Sequence, residues 1–327
     1  MARRILGRRA VIAAGAALSL PLSARAQAAY PDHPVRLVVP FPPGQAADTF
    51  GRLMADRLSP LWKQQIVVEN KGGGAGIPAL EGVKNAPADG YTLLVGTSGT
   101  LGVNPGLYAG KLPYDSVNDF APCSNIFLVP LVITAHPSLP ANSLAELIAL
   151  AKKEPGQLGY GSPGVGSSQH LSMELFKYKA QVDIRNIPYK GSGPAVSDLL
   201  GGHIKLMMDS ATSALPHVRD GRIKAIAVTT AKRIPQMRDV PTIGETIPGF
   251  DAAGWSGIVA PARTPRAIVE KISADIRAQI ALPEVSQRII ELGGIPDANT
   301  PDEYHAFIKA EVAKWAEVVR VSGTKVD

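Results

Sequence analysis

The sequence predicts an α/β protein with two lobes, in which helices cover parallel or mixed sheets. Strand-like runs alternate with helix-like segments through short connections, and a mainly helical part follows them at the C-terminus. The 327 residues exceed what one small core requires and suit two units of ordinary domain size. Apolar residues make up 45% of the chain and charged residues 19%, a composition typical of globular proteins.

Short apolar runs bounded by Pro, Gly or Asp predict buried strands. They are Val35–Val39, Ile66–Val68, Tyr91–Val95, Leu158–Gly161, Ile184–Ile187, Ile204–Met208 and Ile223–Val228. A longer apolar run from Cys123 to Ala135 predicts a strand that passes between the lobes.

Helix starts are marked by residues whose side chains can accept a hydrogen bond from free N–H groups. We expect Asp48 to cap a helix whose apolar face includes Phe50, and Ser143 to open a capping box with Glu146. Another helix is expected to open at Pro194. Thr300 should cap the last helix, with proline at its first position.

The first 26 residues have the three-part pattern of a secretory signal peptide. Arginines begin the segment, an uncharged stretch from Ala10 to Leu22 follows, and small residues allow cleavage after Ala26 or Ala28. The Arg8-Arg9 pair favours the twin-arginine export route, although the general secretory route stays open. The sequence therefore predicts a periplasmic protein.

Removal of this leader changes the charge of the protein. Of the 34 basic residues, five arginines lie in residues 1–26, so 29 basic and 28 acidic residues remain, a net charge of +1. The mature chain thus gives no electrostatic reason to expect a nucleic acid or a membrane surface as partner.

The single cysteine, Cys123, excludes an intrachain disulfide and a cysteine-rich metal site. It lies beside an apolar stretch and is predicted to be a buried structural thiol. The six histidines show no metal-ligand spacing, so we expect neither a metal nor a cofactor.

Three connections that follow predicted strands are rich in Gly and hydroxyl residues: Pro40–Asp48, Gly96–Thr100 and Gly161–His170. Ligands of open α/β sheets collect at the carboxyl ends of strands, and helix starts bind anions through free N–H groups. The candidate ligand-binding residues are Phe41, Pro43, Gly44, Gln45, Asp48, Thr97, Ser98, Thr100, Ser162, Gly166, Ser167, Ser168, Gln169, Asp209 and Trp255.

Two of these candidates have an equally plausible structural role. Asp209 follows an apolar strand and could accept hydrogen bonds from a ligand or cap the next helix. Trp255 could form a wall of the cleft or pack at a hinge.

Enzyme motifs are incomplete. The segment from Gly164 to Gln169 lacks the third glycine of a dinucleotide fingerprint, and Lys71–Gly76 does not continue as a P-loop. No serine lies in Gly-x-Ser-x-Gly, and a helix start would place Ser168 and His170 on different faces. We therefore expect a binding protein and not an enzyme.

At these motifs the chain resembles the Bug family, the solute receptors of tripartite tricarboxylate transporters. The resemblance runs from Tyr30 to Asp327. Its most specific parts are Asp89–Leu94, Lys111–Asp115, Ser168–Leu171, Pro188–Ser192, Asp198–Gly202 and Ser213–His217.

The resemblance implies a type II periplasmic-binding fold with a cleft between lobes formed by residues 27–125 plus 251–327 and by residues 126–250. It implies that the first loop and the loop opening the Ser167–Gln169 helix hold a ligand carboxylate, partly through water. Asp209 matches an acidic position that can contact the far end of the ligand. Gln45 stands where the family usually has a second glycine, and Ala46 and Ala47 stand where small or hydroxylated residues are common, so the solute cannot be copied from a relative.

The expected function is a monomeric periplasmic receptor that captures a small mono-, di- or tricarboxylate or an acidic amino acid for membrane transporter subunits. A periplasmic sensor that reports the solute to a signalling partner is an alternative. A hydrolase acting in the same cleft is a further one, but it lacks an activated nucleophile or a metal.

Overall fold

A computed structural model of the protein describes residues 30–325, so the predicted leader lies outside the described residues. The strands of the described chain are β1 Val35–Val39, β2 Ile66–Asn70, β3 Thr92–Thr97, β4 Phe120–Val129, β5 Leu131–Ala135, β6 Gly159–Ser162, β7 Arg185–Pro188, β8 Leu206–Ser210, β9 Lys224–Val228, β10 Gly254–Pro261 and β11 Ile295–Pro296.

Its α-helices are α1 Ala46–Trp62, α2 Ile77–Lys84, α3 Asn104–Leu107, α4 Leu144–Lys153, α5 Ser168–Ala180, α6 Ser192–Leu200, α7 Ala211–Arg219, α8 Arg266–Ile280, α9 Pro283–Glu291 and α10 Pro301–Ser322. A wide helical turn, Ser98–Val103, directly follows β3.

The first lobe is built on a six-stranded sheet in the order β11-β4-β10-β3-β1-β2. Strand β1 pairs in parallel with both β2 and β3, whereas β10 runs antiparallel to β3 and β4. Helices α1, α8 and α9 supply Phe50, Ile272 and Ile289 to the core on one face of this sheet. Strands that are covered by helices on both faces are mostly apolar, and the predicted runs at Val35–Val39 and Ile66–Val68 lie in β1 and β2.

The second lobe is built on a five-stranded sheet in the order β7-β6-β8-β5-β9. Strand β6 pairs in parallel with β7 and β8, and β5 runs antiparallel to β8 and β9. The two-lobed α/β fold expected from the sequence is confirmed.

The chain passes from the first sheet to the second at Pro130, which lies between β4 and β5. Proline has no N–H to donate to a ladder, so the long apolar run divides into two strands at this point. The chain returns to the first sheet between Val228 and Gly254. The C-terminal helix α10 packs against the Ser98–Val103 turn, α8 and α5, and so it contacts both lobes.

Cys123 lies on β4 and is completely buried in the core of the first lobe. Burial raises the pKa of its thiol to about 12, because the thiolate would lose its hydration there.

Several predicted helix boundaries hold and two differ. Ser143 and Thr300 cap α4 and α10 as expected, and Pro301 occupies the first position of α10. The expected capping box at Ser143 is only half formed, because the Glu146 carboxylate accepts from Asn142 N–H instead of Ser143 N–H. Helix α1, however, begins at Ala46 with Gln45 as its N-cap, so the prediction that Asp48 is the cap is wrong. Helix α6 opens at Ser192, two residues before Pro194, because proline is tolerated throughout the first turn.

Candidate functional site

The first and second glycine-rich loops lie side by side at the carboxyl end of the first sheet, because they follow the adjacent parallel strands β1 and β3. Gly76 sits between them: a Cβ atom there would lie 2.8 Å from Thr100 Cγ2 and 3.0 Å from Pro40 Cβ. Its φ of +78° is also unfavourable for a side chain. The loops therefore meet without space for a methyl group at the point of contact.

The first loop presents a helix N-terminus that its own side chains leave open. The N-cap residue Gln45 makes no side-chain hydrogen bond to the helix, and its side chain is exposed along with Pro43 and Gly44. Within residues 30–325, the N–H groups of Ala46 and Ala47 have no hydrogen-bond acceptor. These groups carry the partial positive charge of the helix dipole and can bind an anion without a cationic side chain.

Asp48 stabilises this loop from within. Its carboxylate accepts hydrogen bonds from Gly44 N–H at 2.9 Å, from Arg52 Nε at 2.9 Å and from Asn70 Nδ2 at 2.8 Å. Asn70 also donates to the carbonyl of Phe41 at 3.0 Å, so both ends of the loop are fixed. Burial disfavours the ionised carboxylate, but these hydrogen bonds outweigh it and hold the pKa of Asp48 below its ordinary value.

The second loop is closed by two threonines. Thr97 Oγ1 accepts from Thr100 N–H at 3.2 Å, and Thr100 Oγ1 accepts from Thr97 N–H at 3.1 Å. Both hydroxyls are buried, whereas the hydroxyl of Ser98 has no hydrogen-bond partner in the described chain. Ser98 is thus the one of these three candidates whose hydroxyl is free for a ligand.

The third loop opens helix α5 in the second lobe. Ser167 caps the helix, accepting from His170 N–H at 3.2 Å, while the N–H groups of Ser168 and Gln169 have no acceptor in residues 30–325. Ser162 is fully buried and donates to Asn186 Oδ1 at 2.8 Å, and Ser168 Oγ donates to Gln169 Oε1 at 3.0 Å. The loop therefore offers the same kind of open N-terminus as α1.

Asp209 lies next to this loop at the end of β8, which neighbours β6. Its side chain is 1% exposed, and its Oδ1 accepts from Ser192 Oγ and from Ser210 N–H, both at 2.8 Å. The second oxygen, Oδ2, is buried and has no partner in the described chain. Ser210, not Asp209, is the side chain that caps α7, so the capping role that the sequence left open falls to its neighbour.

Trp255 lies on β10 beside the crossing between the lobes and is 2% exposed. Its indole N–H donates to Glu311 Oε2 at 2.8 Å, and Trp315 donates to the same oxygen at 2.8 Å. The ring packs edge-on against Tyr304 and Phe307. These contacts agree with the packing role considered for Trp255, and its role as a wall of the cleft stays a prediction.

The lobes also contact each other near these loops. The Ser98–Val103 turn packs against α5, which brings the second loop next to the helix that the third loop opens. On another side, Thr212 Oγ1 of α7 donates to the carbonyl of Gly293 at 3.3 Å. Residues 30–325 contain no cluster of three or more side chains that could hold a metal ion, and no helix among them is long and apolar enough to cross a membrane.

The sequence model of the tripartite tricarboxylate transporter family receptor, TctC, matches residues 50–324. This chain belongs to that family. The BugT protein of Bordetella pertussis is 35% identical to it over 325 residues, which cover 99% of this chain and 98% of BugT.

Two solved structures extend the family likeness to the fold. A protein of R. palustris with adipate is 37% identical, with a TM-score of 0.76, and the match covers 90% of this chain and 99% of that one. The MatC protein of Rhodopseudomonas palustris with bound malate is 32% identical, with a TM-score of 0.71, over 89% of this chain and 100% of MatC. The resemblance to Bug receptors is confirmed, and the chain is a solute-binding protein of a family of periplasmic receptors.

The structure also identifies residues that the sequence did not single out. Arg52 and Asn70 hold Asp48, and Glu311 joins Trp255 to Trp315. Arg52 could have been found, because it lies one helical turn after Asp48. Asn70 and Glu311 are distant in sequence from their partners and carry no local signal.

Proposed function

We propose that the receptor captures a small dicarboxylate-type solute between its lobes, holding one carboxylate with main-chain N–H groups. The observation that carries this proposal is the pair of open helix N-termini at α1 and α5, with unpaired N–H groups at Ala46, Ala47, Ser168 and Gln169. A carboxylate suits such a site, because its two oxygens can accept from several N–H donors at the positive ends of two helix dipoles. The malate and adipate found with two relatives belong to this chemical class.

The candidate residues contribute to solute binding in different ways. Ser98 supplies a free hydroxyl beside the first loop, and the exposed carboxamide of Gln45 contacts the part of the solute that differs between receptors. Asp48, Thr97 and Thr100 act indirectly, because their polar atoms already bond within the loops. Asp209 faces the far end of the solute, where its unpaired oxygen accepts from a hydroxyl, an ammonium or a water.

We further propose that the receptor is exported with residues 1–26 as a cleaved leader and delivers its solute, as a monomer, to the membrane subunits of a tripartite tricarboxylate transporter. The family assignment supports the transporter as partner, and the segregated charge and apolarity of the leader support the export. Mass spectrometry of the protein released from the periplasm tests the cleavage site. Loss of uptake of the labelled solute in a deletion strain separates transport from signalling.

A thermal-shift screen of the purified mature protein tests the carboxylate class. A solute present at about 100 times its Kd adds roughly 2.7 kcal/mol to the free energy of unfolding. We expect a rise in melting temperature with at least one mono-, di- or tricarboxylate or acidic amino acid, and none with the corresponding amides. A panel of carboxylates that leaves the melting temperature unchanged would refute the solute class.

A further inference from the structure

His170 is a buried titratable group beside the open N-terminus of α5 to which the proposed function assigns no role. It occupies the first turn of α5, and its side chain is almost fully enclosed. Gly166 N–H donates to its Nδ1 at 3.1 Å. Since Nδ1 accepts this hydrogen bond, the neutral ring carries its proton on Nε2.

The surroundings of the ring favour this neutral form. Burial lowers the pKa of His170, because the charged imidazolium would lose its hydration. Glu174 lies 3.8 Å from Nε2, but its carboxylate also accepts from Lys177 at 2.8 Å and from Tyr160 at 3.0 Å. Lys177 thus offsets the charge of Glu174, and Tyr160 contributes a neutral hydroxyl from β6.

The hydrogen bond from Gly166 to the imidazole fixes one N–H group of the third loop directly before α5. Gly166 has a φ of +78° and Gly164 one of +144°, so the loop uses backbone conformations that glycine permits and could take up others. The imidazole fixes Gly166, and Ser167 Oγ fixes the N–H of His170 itself. In the first turn of α5, the N–H groups of Ser168 and Gln169 have no partner within residues 30–325.

We propose that His170 is a positioning residue for solute binding: its Nδ1 holds Gly166 N–H and so pre-forms the N-terminus of α5 for the carboxylate. This inference rests on the proposed function of that N-terminus. It assigns to His170 no contact with the solute. Pre-formation increases affinity because the loop does not have to be ordered when the solute binds.

Two substitutions separate positioning from simple packing. His170→Leu fills the space without an acceptor, whereas His170→Asn places its amide oxygen close to the position of Nδ1. With malate or adipate as the probe, we expect the leucine variant to bind roughly fivefold to tenfold more weakly, the effect of losing one net hydrogen bond. The asparagine variant should recover most of this loss. Thr134→Val is the matched control, since it removes a buried hydrogen bond to the Met207 carbonyl in the same lobe and leaves His170 and Gly166 untouched.

Hydrogen exchange of the Gly166 amide provides a measurement that needs no solute. The amide should be protected in the wild type and in the asparagine variant, and should exchange faster in the leucine variant, or in His170→Gln if the leucine variant does not fold. Equal protection and equal affinity in all variants would overturn the inference while leaving the carboxylate proposal intact. A wild-type protein that binds no carboxylate would overturn the proposed function and the inference together, even with the predicted exchange pattern.

Discussion

The substitution Asp48→Asn tests whether the carboxylate of Asp48 fixes the conformation of the first loop. In Asp48→Asn one oxygen becomes an NH₂ group, which cannot accept from the donors that surround it: Gly44 N–H, Arg52 and Asn70, all within 2.9 Å. At least one donor loses its acceptor. A hydrogen bond to a charged group contributes about 1.5–3 kcal/mol, and water can replace part of the interaction with Arg52, whose side chain is half exposed.

We therefore expect the free energy of unfolding to fall by about 2 kcal/mol, and the melting temperature to fall by roughly 4–8 °C. The affinity for a carboxylate should fall about tenfold, because Gly44 and the start of α1 are no longer fixed. Calorimetry gives both quantities, by thermal unfolding and by titration with the solute.

The matched control is Asp56→Asn, on an exposed position of the same helix with no ion pair in the described chain. The pH dependence adds a second check. Because the folded-state pKa of Asp48 is lowered, its contribution exists above the usual carboxyl range and is lost as the pH falls through the folded value. The stability difference between wild type and Asp48→Asn should therefore shrink in acid. If Asp48→Asn matches Asp56→Asn in both stability and affinity, the loop is not held in this way.

Three further changes test other parts of the receptor. Asp209→Asn should weaken solute binding with little change in the stability of the unliganded protein, whereas an equal loss of both, measured by thermal shift, would indicate a structural role. Glu311→Ala should cost about 3 kcal/mol in urea unfolding, since two buried indole N–H groups lose their acceptor; Glu311→Gln should cost less, and similar costs would contradict this. Because the pKa of His170 is lowered from 6.5, the folded protein resists its protonation, so stability should decrease as the pH falls below about 6.5. His170→Asn should flatten that slope between pH 7 and pH 5, and an unchanged slope would assign the effect to another group.

Much of the fold could be predicted because its signals are local. In the run Val35–Val39 every residue except Arg36 is apolar and buried, and Thr300 with Pro301 marks a helix start within two residues. The prediction of one strand from Cys123 to Ala135 is wrong in this respect: Pro130 lacks the N–H that a central strand requires, and it divides the run into β4 and β5.

The arrangement of the site depends on contacts that the sequence does not display. Asp48 was predicted as a helix cap because it precedes the apolar face, but Asn70 and Gly44 draw its carboxylate backwards into the loop. The partners of Trp255 are similarly remote, since Glu311 lies 56 residues further along the chain. The sequence was therefore sufficient to locate the glycine-rich loops after the strands. It was not sufficient to tell which polar atoms of those loops remain without a hydrogen-bond partner.

The buried thiol of Cys123 makes the receptor convenient for spectroscopy. Thiol-directed labels react with the thiolate, which is scarce at neutral pH when the pKa of the thiol is about 12 and access from solvent is blocked. A cysteine introduced on the exposed surface would thus be labelled alone, without removal of the native one. A dye placed at Val165, whose side chain is 48% exposed in the third loop, would report solute capture by its change in fluorescence, and a pair of such sites, one on each lobe, would report the distance between the lobes as they close.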